Sequence, residues 1–268
     1  MNIPHLTEYI GGVPFLSETF NHKHLLSLVA AKRYDLSKSN SSNSSNSSKL
    51  VEYLSPQLGA KVYSYQEEGL PEIKFTDLNE QETNLINQSI KQIISVVPEW
   101  REYFNIPIRY RMWSENRTSC TCAFIPQTIY LGEPAFNTIN TLIEALVHEF
   151  SHVWMDFITE IVDLQKVTAN KLYIIPKTQN AKLLRGVILA AHFAAVVISF
   201  YSHGDEKWTE YQKSRIQFLH SYLNDCITLI KKSDEFSLIG YWAWTELKMF
   251  CEKMEECCQI NLKTMKNM

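Results

Sequence analysis

The sixteen residues from Gly186 to Tyr201 carry no charged side chain, and within them stand a single histidine, His192, and a single serine, Ser199. A bilayer span needs about 20 apolar residues, so this run is short for one and is predicted to be a buried helix. A helix apolar on every side needs neighbours on every side. The chain supplies them, because apolar residues recur three and four apart over roughly 138–164, 181–202, 206–232 and 236–258.

Upstream the texture differs. Positions 39–48 are only Ser and Asn, a composition that buries nothing, so 37–49 is predicted to be a disordered linker. Before it, residues 1–36 form a small segment with a short helix over about His22 to Arg33, expected to dock on the main domain of residues 50–268. Asp77 to Val97 reads as an amphipathic helix, with Leu85, Ile86, Ile90, Ile93 and Ile94 on one stripe and Pro98 past its end. Between Ile106 and Leu131, β-branched and aromatic residues broken by Pro and Asn predict two or three short strands, among them Ile108 to Trp113 and Thr128 to Leu131. The fold class expected is α+β, predominantly helical, with a small sheet or hairpin ahead of the first long helix.

Composition narrows the partners. With 26 Lys and Arg against 29 Asp and Glu the formal net charge is -3, and no block of like charge gives nucleic acid a footprint. The amino terminus shows no basic and apolar targeting pattern, which leads to an expectation of a cytoplasmic protein with no membrane partner. The six cysteines, at 120, 122, 226, 251, 257 and 258, contain no Cys-x-x-Cys pair and are read as reduced thiols.

Chemistry is concentrated in Thr141 to Met155, TLIEALVHEFSHVWM, which holds His148-Glu149-x-x-His152 within a helical pattern of Leu142, Ile143, Leu146, Phe150, Val153 and Trp154. Histidines four apart leave a helix on the same side one turn from each other, where two neutral imidazoles can bind one metal ion. Glu149 then points to an adjacent sector, from which it reaches a metal-bound water or a neighbouring ligand. Two imidazoles need a third ligand, and a His-x-x-Gly-x-x-His continuation is absent, since Val-Trp-Met-Asp-Phe-Ile follows His152. His192, isolated in the apolar helix between Ala190, Ala191, Ala194 and Ala195, is the candidate; the competing reading is a hydrogen-bonded core histidine.

From about Ile125 to Tyr201 the chain resembles the HExxH-motif peptide-modification proteins that accompany ribosomally made peptides. The likeness rests on the strand at Ile129-Tyr-Leu131, the helix Glu144 to His152, and a Gly-containing helix with an internal His. Where that family carries Pro-Trp-Arg and then Arg-Pro-Leu-x-Gly, this chain has Ile175-Pro-Lys177 and Lys182-Leu-Leu-Arg-Gly186. The resemblance implies an Fe(II)- and 2-oxoglutarate-dependent oxygenase that hydroxylates the β carbon of a side chain in a precursor peptide, using dioxygen. It further implies a metal site between two long helices with His148, His152 and His192 as ligands, and a cation for the cosubstrate carboxylate: Arg185 first, then Lys182 or Lys177. Glu149 would orient a ligand or substrate.

The rival is a zinc metallopeptidase in which Glu149 is the general base. It requires a downstream carboxylate ligand, and none lies between Gly186 and Tyr201. Tyr241, Trp242 and Trp244 are read as core or docking residues, and Cys120-x-Cys122 as paired buried thiols on one strand face.

Overall fold

A computed structural model describes residues 3–39, 49–64, 73–204 and 209–266. The Ser/Asn run at 40–48 lies outside the described residues. The fold is α+β and predominantly helical, and it divides into a first unit, Met1–Thr19 with Val162–Met268, and a second unit, Phe20–Ile161.

The second unit holds helices α2 (His22–Ser39), α3 (Pro56–Ser64), α4 (Glu80–Val96), α5 (Arg101–Phe104) and α6 (Ile139–Ile161). Its strands are β1 (Phe75–Thr76), β2 (Arg109–Trp113), β3 (Ser119–Thr121) and β4 (Thr128–Leu131), ordered β1-β2-β4-β3 with only β2 and β4 parallel. Asn79 starts α4 with a capping box, its side chain accepting from the Glu82 N–H while the Glu82 carboxylate accepts from the Asn79 N–H. Ile86 and Ile93 of the expected stripe are buried. The antiparallel register sets Ser119 opposite Leu131 and Thr121 opposite Ile129, so these four share one sheet face, with Ile129 and Leu131 fully buried on it. Gly132 closes β4: a Cβ there would stand 1.9 Å from the Arg117 carbonyl oxygen, so only glycine admits the turn leading into β3.

Helix α2 runs beyond Arg33 to Ser39, into positions expected to be linker; Lys38 Nζ lies 4.0 Å over the Tyr34 ring one turn back, which supports the last turn. Arg33, buried, donates through Nε and Nη2 to both Glu160 oxygens at 2.8 and 2.6 Å, and through Nη1 to the Tyr53 carbonyl and Gln127 Oε1. Gln127, held at φ 54, donates to the Leu54 and Pro107 carbonyls, and Tyr63 donates to Glu160. This network satisfies a buried charge and ties the last turns of α6 to α2 and to the strand entry.

The first unit comprises α1 (Ile3–Ile10), the hairpin β5 (Tyr173–Ile174) with β6 (Ala181–Lys182), α7 (Leu184–Ser202), α8 (Glu210–Ile230) and α9 (Leu238–Lys266). Helix α7 is long and apolar enough to cross a bilayer, yet 72% of its apolar window is buried inside the protein, the mark of a core helix. Trp244 donates to the Ile227 carbonyl and packs on Phe236 and Tyr241, which bears out its reading as a core residue.

Candidate functional site

Helix α6 is fixed on its apolar side. Trp154, fully buried, donates from Nε1 to the Tyr103 carbonyl at 3.0 Å, and the Phe150 ring packs on Phe104 with centroids 4.2 Å apart. These contacts set the rotation of the helix about its axis and leave His148 and His152 together on a half-buried side. Their Nε2 atoms are 2.9 Å apart and their rings 4.7 Å apart at 68°. As it stands this is a hydrogen bond in which one ring donates to the other. It also meets the demand of a shared ion, since two imidazoles bound cis at about 2.1 Å hold their nitrogens about 3 Å apart.

Glu149 is buried and faces the sheet rather than the solvent side of the helix. Burial pushes its carboxyl up to about 7, while hydrogen bonds from the Ser119 and Thr121 side chains on β3 pull the other way. Its Oε2 has no hydrogen-bond partner. Position 149 follows His148 by about 100° around the helix, which is why β3, not open space, receives it. A carboxyl that titrates near neutrality, with one oxygen held and one unengaged, can take up or release a proton at working pH. Ser119 and Thr121 escaped the sequence reading, because only the antiparallel pairing of β3 with β4 turns both hydroxyls to the helix side. Their spacing of two within a strand is the signal that was there to find.

His192 lies in the first unit, fully buried in α7, with Nε2 3.0 Å from the Pro14 carbonyl oxygen. A carbonyl only accepts, so Nε2 carries the proton and Nδ1 the lone pair; Nδ1 has no partner. Burial brings its pKa down to about 4, against the Pro14 hydrogen bond, and keeps the imidazole neutral. An N–H anchored on a backbone carbonyl is how a ligating imidazole is commonly oriented, and it equally satisfies a core histidine.

The cations expected for a carboxylate are also in the first unit. Arg185 is half-buried in the first turn of α7, where its N–H donates to Gln165 Oε1. Lys182, half-buried on β6, lays its stem against Gly186, and exposed Lys177 lies 5.6 Å over the Phe218 ring. Cys120 and Cys122 form no disulfide and are half-buried rather than buried; burial foremost pushes the Cys120 thiol up to about 12, which leaves it protonated.

The structure therefore brings His148 and His152 together with Glu149 beside them, and among the described residues no three His, Cys, Asp or Glu side chains are grouped to hold a metal ion. No protein-family model matches the chain, and no curated protein matches it.

Proposed function

We propose that the protein is an Fe(II)- and 2-oxoglutarate-dependent oxygenase that hydroxylates a side-chain carbon of a ribosomally made peptide in the cytoplasm. The observation that carries the metal half of this reading is the 2.9 Å separation of the His148 and His152 Nε2 atoms on the half-buried side of α6. The choice of reaction and substrate rests on the resemblance over Ile125–Tyr201. His148 and His152 would hold the ion, and their neutral imidazoles suit ferrous iron. When bound, ferrous iron with 2-oxoglutarate supplies oxidation of an unactivated carbon by dioxygen.

The chain's own residues have definable tasks. Phe150 and Trp154 hold α6 in the rotation that aims both imidazoles the same way. Ser119 and Thr121 keep the Glu149 carboxyl against β3, where it can take up or release a proton near neutral pH beside the histidines' turn of helix. Arg185 and Lys182 are assigned to the cosubstrate carboxylate, and His192 to the third ligand position, on the strength of the resemblance. Metal analysis after reconstitution tests the core of the reading. The native protein should retain one ferrous ion per chain, and His148→Ala and His152→Ala should each retain none.

One observation favours a second reading. A buried glutamate with its pKa pushed up to about 7 suits the general base of a zinc peptidase. Cleavage of a peptide library by the zinc-loaded protein, absent from Glu149→Gln, would replace the oxygenase with the peptidase.

A further inference from the structure

Along β5 and β6 burial alternates. Tyr173 and Ile175 are buried, while Leu172 and Ile174 are 62% and 57% exposed; across the hairpin Ala181 is exposed and Leu183 is 40% exposed. The register pairs Ile174 with Ala181 and Tyr173 with Lys182, so Leu172, Ile174, Ala181 and Leu183 lie on one face. That face is apolar and bare, an arrangement a monomer seldom keeps without use.

The backbone adds a second observation. Because the Ile175 N–H donates to the Asn180 carbonyl at 3.0 Å, the alternation of an antiparallel ladder makes Tyr173–Lys182 the next bonded pair. Leu172 and Ile174 then turn their N–H and C=O groups away from β6, to the side where no described strand pairs. An edge with both apolar side chains and open backbone groups is a template for an added strand.

Charge selects what the strand carries. From Val162 to Arg185 there are five cations, Lys166, Lys171, Lys177, Lys182 and Arg185, against one anion, Asp163, in a chain whose net charge is -3. Glu235 offsets part of this near β5, its carboxylate accepting from the Asn170 and Lys171 N–H groups, and Lys166 Nζ donates to the Asp234 carbonyl. The turn end, with Lys177 and Lys182, has no such neighbour among the described ion pairs, and the Lys177 and Arg215 cations both lie within 6 Å of the Phe218 ring centroid. A second copy would bring like charges together across this edge, and a bilayer would leave the open N–H and C=O groups unsatisfied.

We propose that the outer edge of β5 docks an extended acidic peptide segment with alternating apolar side chains, added as a third strand to the hairpin. This inference deepens the peptide half of the proposed function but is read by binding alone, without metal or cosubstrate.

The test uses a fluorescein-labelled synthetic peptide about ten residues long in which Asp or Glu alternates with Val or Ile, and a matched peptide with Lys or Arg in place of the acids. Fluorescence anisotropy on the full-length, metal-free protein should show the acidic peptide binding at least about tenfold tighter than the basic one, with the preference weakened by salt. Leu172→Glu/Ile174→Glu should lose at least about tenfold in affinity; Leu172→Lys/Ile174→Lys, which keeps the positive field and removes the apolar face, should lose affinity as well. Both positions are exposed, so unchanged circular dichroism is expected of both variants. Equal binding of the two peptides, or full affinity in both variants, would overturn the proposal. So would binding of phosphatidylserine vesicles in place of the peptide, or a dimer in sedimentation that both variants dissolve. Peptide binding with no oxygenase activity would retain the docking edge and remove only the chemistry.

Discussion

His192 donates from Nε2 to the carbonyl of Pro14, 3.0 Å away, so the imidazole in the middle of the most apolar helix is tied to the chain's amino-terminal segment. Its pKa is brought down to about 4 in the folded state, against an ordinary value near 6.5 when unfolded. The unfolded chain therefore binds the extra proton first, and stability is full above about pH 6.5 and lost as pH falls toward 4, by about 3 kcal/mol. In urea titrations of the metal-free protein, His192→Gln should lose less stability over that range than the native protein. Parallel pH dependences would show that His192 is not held neutral.

Glu160→Gln should cost about 3–5 kcal/mol, because it removes the countercharge of the buried Arg33 guanidinium and one of the two oxygens that accept from it. The check is a urea midpoint alongside Tyr63→Phe, which removes only the hydroxyl hydrogen bond to Glu160 and should cost about 1 kcal/mol. Equal, small losses would mean that the network is not closed as described.

The long periodic elements were legible in the sequence because burial dictates their pattern. Helix α6 was expected over about 138–164 and is Ile139–Ile161; α4 was expected over about 77–97 and is Glu80–Val96, starting where the Asn79 capping box places it. What was not legible depends on pairing across the chain. Strands β1, β5 and β6 have two residues each, too few for alternation to declare itself. Arg33 reads as one more helix cation until Glu160, 127 residues away, is brought against it. At the site, the spacing of His148 and His152 was enough to place both imidazoles together, and the sector of Glu149 followed from helix geometry. Its contacts with Ser119 and Thr121 did not, since they depend on strand order.

Glu149→Gln separates the two chemistries. Under the oxygenase reading Glu149 positions rather than reacts, so the variant should keep measurable 2-oxoglutarate consumption and a full complement of iron, with turnover reduced by about 10-fold or less. Complete loss of turnover with metal retained would assign Glu149 to proton transfer in the reaction itself.

Anaerobic reconstitution with ferrous iron, followed by addition of 2-oxoglutarate, reads the metal and the cosubstrate together. The expected result is the weak visible charge-transfer band of a keto acid chelated to iron, present in the native protein and lost in His148→Ala and His152→Ala; loss in His192→Ala as well would make His192 the third ligand. A tightly held zinc ion with no band and no 2-oxoglutarate binding would contradict the oxygenase reading.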